Sequence, residues 1–240
     1  MAFPLTRRSV VRAAASADPE TRQRAFDALV AAYWRPVYKY LRLKWSATGE
    51  DAEDLTQGFF ARAIEKGFFD RFDPARARFR TYLRACLDGF VANERKSAGR
   101  LKRGGGAEHV SLDFVGAEAE LARQGPSESA DMEEYFHREW VRSLFGLAVE
   151  ALRRRCTDAG KDVHFALFER YDLDGPDAAA RPSYADLARE MRIPETQVTN
   201  HLAWARREFR RLVLEALEEA TGSEEEFRTE ARQILGIDPP

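Results

Sequence analysis

The spacing of apolar residues most constrains the fold, because it follows an α-helical repeat almost everywhere. Phe26, Leu29, Val30 and Tyr33 are three or four positions apart, as are apolar residues on one face of a helix. No stretch shows the alternation of apolar and polar residues that is typical of a half-buried strand. The sequence therefore predicts an all-α fold.

Residues that begin and end helices divide this pattern into segments. The residues Asp18-Pro19-Glu20 form a typical helix start, with a capping aspartate and a proline in the first turn. Pro36 is expected to open a second helix. A third helix is predicted over about 51–66, ending at Gly67, and a fourth over 79–98.

Composition and cysteine content restrict the class of protein. The 240 residues are 44% hydrophobic and 32% charged, which suits one large domain or two smaller ones. No run approaches the roughly 18 apolar residues of a membrane span, and Arg12 interrupts any secretory signal. Cys86 and Cys156 are too far apart in sequence to indicate a disulfide framework or a zinc site. We therefore expect a cytoplasmic protein without membrane insertion.

Charge is strongly segregated, although the net charge is only −2. Basic residues dominate 76–103 and recur as four arginines within 206–211, whereas 113–134 and 215–230 are acidic. Two basic blocks separated by an acidic segment predict two anion-binding surfaces on one chain.

Three consecutive glycines at 104–106 break the helical pattern and indicate a domain boundary. We predict two helical domains, at 1–103 and 132–217, joined by a flexible acidic linker at 104–131. A C-terminal extension covers 218–240.

The extension is predicted to contain one helix. Ser223 and Glu226 form a capping pattern at its start, and Gly236 is a typical stop. We expect a solvated terminal helix; the alternatives are that its acids screen the arginines or contact a partner.

The stretch 182–211 carries the most specific motif of the chain. Ser183 and Asp186 form a pattern like a capping box, and Arg192-Ile193-Pro194 interrupts the helical spacing. The inner faces of the two flanking helices comprise Leu187, Ala188, Met191, Val198, Leu202 and Ala205. This arrangement predicts a helix-turn-helix, with Arg192 at a turn position where glycine is common.

The second helix of this motif would present short polar side chains outward, followed by arginines. The residues are Thr196, Gln197, Thr199, Asn200, His201, Arg206 and Arg207. Such polar groups hydrogen-bond base edges in the major groove, while arginines contact phosphates. DNA binding is the preferred interpretation, and a helical hairpin that binds nothing is the alternative.

Residues 50–60, EDAEDLTQGFF, place four carboxylates within five positions. Such a cluster can hold a metal ion, share a catalytic proton, cap a helix or face a basic partner. No further ligands follow at metal-binding spacing, and capping requires only Asp51 and at most Asp54. A docking face for a basic partner is therefore the preferred interpretation.

Three motifs together resemble one family. Residues 22–103 resemble region 2, and residues 139–214 resemble region 4, of the sigma-70 family of bacterial RNA polymerase initiation factors. The resemblance rests on DAEDLTQGFF, on FRTYLRACL and on SYADLAREMRIPETQVTNHLAWAR. A chain with only these two regions resembles the extracytoplasmic-function (ECF) group. It departs from the family pattern at Tyr82, where tryptophan is frequent, and at Gly89 and Asn93.

The resemblance implies a role for each region. Core RNA polymerase would bind the acidic helix through its β′ clamp helices, with Asp51, Asp54 and Gln57 as polar contacts and Leu55 and Phe59 facing the core. The basic helix would bind the minus-ten element through Arg80, Tyr82, Arg84, Asn93, Arg95, Lys96 and Arg100. The seven outward residues of the helix-turn-helix would read the minus-thirty-five element.

Further partners follow from the same resemblance. The β flap of the polymerase and promoter DNA are expected partners, an anti-sigma factor is a further candidate, and the linker would thread toward the RNA exit path. The family implies no enzymatic activity, no cofactor and no metal.

Two competing functions each account for part of the sequence. Glu134 and His137 have the spacing of half a di-iron site in a helical bundle, but no second Glu-x-x-His follows, so an enzyme is not predicted. A helix-turn-helix regulator that does not engage polymerase is the second alternative, and binding to core polymerase discriminates between the two.

Overall fold

The computed structural model describes residues 10–14, 16, 18–98, 112–124, 131–174 and 181–239. Within these ranges all regular secondary structure is helical, which confirms the predicted all-α class. The helices are α1 (Val10–Ala14), α2 (Pro19–Lys44), α3 (Gly49–Glu65), α4 (Phe79–Ala98), α5 (Phe114–Gln124), α6 (Met132–Asp158), α7 (Asp162–Phe168), α8 (Tyr184–Met191), α9 (Glu195–Ala220) and α10 (Glu224–Leu235). Among these, no helix combines the length and the apolar character that a membrane crossing requires.

The chain forms two compact units. The first unit comprises Met1–Leu144 together with Leu217–Pro240, and the second unit comprises Phe145–Ala216. This division falls inside α6 and α9 and does not coincide with the predicted boundaries at 104–131 and 218. The C-terminal segment therefore belongs to the same unit as α2, α3 and α4.

Helix α2 lies at the centre of the first unit. Tyr33, Val37 and Leu41 are fully buried along it, and the Tyr33 ring contacts the rings of Phe79 and Trp140. The prediction that Pro36 opens a new helix is wrong, since α2 continues through it. A proline inside a helix removes one backbone hydrogen bond; the buried residues on both sides of Pro36 offset that cost by packing.

Helix α5 lies within the stretch that was predicted to be a flexible linker. The Phe114 ring packs against Trp34 and Tyr38, with centroid distances of 5.4 and 5.2 Å. Apart from 112–124 and Asp131, the predicted linker lies outside the described residues. Residues 114–124 form a helix rather than a flexible linker, because Phe114 packs against α2 and the acids of α5 have basic partners there.

Those partners form a series of ion pairs between α5 and α2. Glu118 accepts hydrogen bonds from the Arg42 guanidinium and from the Tyr38 hydroxyl, the latter at 2.7 Å. The bonds from Arg42 and Tyr38 hold the pKa of Glu118 below its usual value. Glu120 pairs with Lys39 at 2.8 Å, and the same buried ammonium pairs with the buried Glu139 at 2.6 Å. The acidic helix is therefore tied to α2 by charge as well as by Phe114.

The C-terminal segment is packed into the first unit rather than solvated. The Tyr33 hydroxyl donates to the carbonyl of Ala220 at 2.7 Å, and Thr221, Glu226 and Glu230 are buried. Helix α10 has the predicted Ser223 cap, which accepts from the Glu226 N–H. The expectation of a solvated helix is wrong, because its inward positions fit the interior of the unit.

The second unit is built around a small apolar cluster. Leu167, Leu187, Val198 and Leu202 are fully buried, and Tyr171, Tyr184, Ala188, Met191 and Ile193 pack against them. The ring of Phe209 contacts Phe145 and Phe168. The predicted inner faces of α8 and α9 thus meet in one core.

We expect Gly222→Ala to destabilise the first unit by about 1–3 kcal/mol, the usual cost of overpacking. A Cβ at Gly222 would clash with the Phe72 ring, which would have to move away from Phe79 and Tyr82. The control is Gly89→Ala in α4, where a Cβ meets nothing within 4 Å and should stabilise the helix by about 0.5–1 kcal/mol. Urea unfolding of both variants measures the difference; equal stabilities would contradict the packing.

Candidate functional site

Helix α3 begins two residues before the predicted start. Thr48 caps it, because the Thr48 hydroxyl oxygen accepts from the Asp51 N–H at 3.1 Å and the same hydroxyl donates to the Asp51 carboxylate at 2.8 Å. The capping role considered for Asp51 and Asp54 therefore belongs to Thr48. The α3 acids are not needed to start the helix.

The two faces of α3 differ sharply in exposure. Phe59 is 1% exposed, and its ring contacts those of Phe60 and Phe90 at 5.3 and 5.8 Å. Asp51 and Asp54 are exposed, whereas Leu55 and Gln57 are half-buried. The inward residues are Ala52, Thr56, Phe59, Phe60 and Ala63. A rigid aromatic base thus supports an outward acidic face.

The acids on this face keep their charge available to a partner. Within the described part of the chain, no ion pair involves Glu50, Glu53 or Asp54. By contrast, the acids of α5 are paired with α2. The same described ranges contain no cluster of His, Cys, Asp and Glu able to hold a metal ion. The arrangement suits contact with a basic surface.

The amino-terminal half of α4 is engaged inside the first unit. The Arg80 guanidinium is buried, bonded to Glu230 and 5.4 Å from the centroid of the Trp140 ring. The Tyr82 hydroxyl donates to the Phe68 carbonyl at 2.7 Å, and burial raises the pKa of Tyr82 to about 12. Arg84 pairs with Glu133 at 3.0 Å.

The carboxyl-terminal half of α4 is open to solvent. Asn93, Arg95 and Lys96 are exposed. The Arg95 guanidinium lies 4.9 Å from the Trp45 ring centroid and donates to the Trp45 carbonyl. Arg100 lies outside the described residues. This end therefore offers two cations beside a half-exposed aromatic ring, a combination that suits nucleic acid.

Helices α8 and α9 have the caps and the turn that the sequence predicts. Ser183 and Asp186 form a reciprocal capping box. Arg192 follows α8 in the left-handed conformation, with φ 56° and ψ 43°, at the position where glycine is common. Helix α9 restarts at Glu195 after Pro194.

The outward face of α9 is polar at its start. Thr196, Gln197, Thr199 and Asn200 are exposed. The half-buried His201 ring lies 3.8 Å from the His164 ring, centroid to centroid. Partial burial and the nearby Lys161 charge lower the pKa of His201.

The two arginines farther along α9 differ in their availability. Arg206 makes two hydrogen bonds of 2.9 Å to Asp172 and lies over the Tyr171 ring. These bonds raise the pKa of Arg206. Arg207 is exposed. Arg206 therefore supports the fold of the second unit, and Arg207 remains open to a ligand.

Comparison with known families finds a match for part of the first unit. A model of sigma-70 region 2 matches residues 29–101, which include α3, α4 and most of α2. This segment is therefore similar to sigma-70 region 2. The predicted recognition of the sigma-70 family is thereby confirmed through this region. No curated protein and no solved structure matches the chain.

The residues predicted to contact the minus-ten element fall into an exposed group and a group engaged within the first unit. Asn93, Arg95 and Lys96 of region 2 lie together on the exposed end of α4. Arg80 is instead buried and held by the Glu230 carboxylate, and Tyr82 and Arg84 are bonded within the unit. The partner of Arg80 is 150 residues away in sequence, so local pattern contained no signal for it.

The structure also adds one residue that the site prediction missed. Trp45 ends α2 and lies beneath Arg95, next to the exposed end of α4. The only signal in the sequence was a tryptophan near a helix end and close to basic residues. Helical spacing alone assigns such a tryptophan to the core. Exposed aromatic rings beside cations are typical of surfaces that stack single-stranded bases.

We expect Arg192→Gly to stabilise the full chain by roughly 0.5–1 kcal/mol. A residue with a Cβ pays about 1–2 kcal/mol in the left-handed conformation, and the greater entropy loss of glycine offsets part of the gain. The control is Arg189→Gly inside α8, which should cost about 1 kcal/mol. Denaturant unfolding followed by circular dichroism compares both; a less stable Arg192→Gly variant would contradict the strained turn.

Proposed function

We propose that this chain is an ECF-type sigma factor that binds core RNA polymerase and directs it to promoters in the cytoplasm. The observation that carries the proposal is the region 2 match over a helix that begins with exposed acids, Glu50, Asp51 and Asp54, of which none forms an ion pair within the described residues. Region 2 supports a role in promoter-specific transcription. The ECF group, the contacts and the promoter elements are the parts that the proposal adds.

Helix α3 would bind the β′ clamp helices of the polymerase. Asp51 and Asp54 are exposed, and Gln57 adjoins them on the half-buried flank. Exposed carboxylates that form no ion pair attract a basic partner and set its orientation. Phe59 and its aromatic neighbours keep α3 rigid, so that little conformational entropy is lost on binding.

The DNA contacts would be divided between the two units. The end of α4, with Asn93, Arg95 and Lys96, would meet the minus-ten element, and the polar start of α9 would read the minus-thirty-five element. Each surface is small, and the acidic segments oppose phosphate contact, so the free chain should bind promoters weakly. Polymerase would raise the effective concentration of both surfaces at the promoter.

The second candidate is a helix-turn-helix regulator that does not act with polymerase. The polar outward face of α9 is compatible with it, but such a regulator has no use for region 2. The sigma proposal also includes the β flap as a contact of the second unit and an anti-sigma factor as a candidate partner. It includes no enzymatic activity.

We expect Asp51→Lys combined with Asp54→Lys to reduce binding to core polymerase at least tenfold, because like charges then face the clamp helices. The control is Glu65→Lys at the other end of α3, which is also exposed and should bind normally. Pull-down with purified core polymerase measures binding, and circular dichroism checks the fold. Normal binding by the double variant would reject the α3 contact; binding of DNA but not of polymerase by the unmodified chain would favour the regulator.

We expect Thr199→Ala combined with Asn200→Ala to relax promoter choice, since lost base contacts cost about 1–3 kcal/mol each. Arg207→Ala should instead weaken all promoters similarly and lower the salt slope by about one. Arg24→Ala, an exposed arginine of α2, is the control. Run-off transcription on a random promoter library reads both effects. Unchanged promoter selection in the Thr199 and Asn200 double variant would rule out readout by α9.

A further inference from the structure

The start of α4 is covered by the C-terminal helix. Glu230 of α10 accepts hydrogen bonds from Arg78, at 2.7 Å, and from Arg80. Glu226 accepts one from the backbone N–H of Phe79 at 2.9 Å and another from that of Gly222 at 2.9 Å. Two acids from the end of the chain thus hold the donors at the start of the basic helix.

These contacts are buried, unlike the other ion pairs of α10. Glu230 is 0% exposed and the Arg80 side chain only 10%. His137 is also close, with its Nε2 3.4 Å from Glu230. Glu224, in the same helix, is exposed and pairs only along α10 with Arg228. The inward acids of α10 therefore bind the start of α4, whereas the outward Glu224 pairs within α10 itself.

The hydrogen-bond donors that α10 covers are of the kinds that bind nucleic-acid phosphates. Arginines and the N–H groups of a helix start bind phosphates through charge-assisted hydrogen bonds. In this chain the carboxylates of Glu226 and Glu230 take those bonds. A phosphate can accept these hydrogen bonds only when α10 is no longer docked on α4.

We propose that α10 is an autoinhibitory cover, whose Glu226 and Glu230 compete with nucleic-acid phosphates for Arg78, Arg80 and the Phe79 N–H. With the cover in place, DNA meets only the exposed end of α4. With the cover released, the start of the same helix adds its donors. This inference rests on the proposed contact between α4 and DNA.

The test measures the affinity of the full chain for a short DNA duplex without promoter sequence, by fluorescence anisotropy over a range of salt. Glu226→Gln combined with Glu230→Gln should bind roughly tenfold more tightly than the unmodified chain, with a salt slope steeper by about two phosphate contacts. Glu224→Gln combined with Glu225→Gln changes the net charge equally at exposed positions and should leave the affinity nearly unchanged.

A combined variant tests whether the gain passes through the covered arginines. Adding Arg78→Ala and Arg80→Ala to the Glu226 and Glu230 double variant should return affinity and salt slope to the unmodified values. Equal gains in the inward and outward double variants would overturn the cover, because net charge alone would then explain the effect.

A milder variant keeps the test decisive if the buried double variant does not fold. Ser223→Ala removes the cap of α10 but leaves the carboxylates of Glu226 and Glu230 in place. Loss of a cap shifts a helix toward its open state about fivefold, and the apparent affinity should rise by a similar factor. An unchanged affinity of a folded Ser223→Ala variant would overturn the cover.

Arg95→Ala combined with Lys96→Ala separates this inference from the proposed function. If that pair weakens duplex binding while neither the Glu226 and Glu230 variant nor Ser223→Ala tightens it, α4 binds DNA and the cover is wrong. If none of these variants changes binding, α4 does not contact DNA, and both proposals fail at this helix.

Discussion

The buried carboxylates of Glu226 and Glu230 hold the C-terminal segment against the rest of the first unit. They join the end of the chain to the start of α4, where Phe79, Arg78 and Arg80 supply the donors. Removing one partner of a buried ion pair typically costs about 3–5 kcal/mol, because the other charge is left uncompensated. The segment that matches region 2 is therefore held in place by residues more than a hundred positions beyond the match.

Three acidic stretches of similar composition have three different environments. The acids of α5 pair with basic residues of α2, and the inward acids of α10 are buried against α4. Those of α3 point outward, and within the described residues Glu50, Glu53 and Asp54 make no ion pair. The start of α3 thus carries clustered acids without basic partners, which is why it is the stretch that we assign to a basic partner. A docking face differs from a structural one in whether its acids have basic partners, and not in how many acids it contains.

The sequence predicted correctly those features that depend on neighbouring residues, such as helix caps and helix ends. The capping box of Ser183 and Asp186, the left-handed Arg192 and the bounds of α4 all follow from a few neighbouring residues. The errors concern Pro36, the stretch 114–124 and the terminal helix. Each was decided by packing against distant residues, and packing can retain a proline inside a helix or turn a polar stretch into a docked one.

The candidate site divides in the same way. Its acidic face, its polar recognition face and its basic helix were visible in the sequence, because charge and helical spacing are properties of the residues themselves. Which arginines remain available was decided by the tertiary structure alone. Arg80 and Arg207 are the same residue type on predicted DNA-binding helices, yet one is buried against Glu230 and the other is exposed. A side chain's partner depends on what the fold brings near it, and for Arg80 that partner lies 150 residues away.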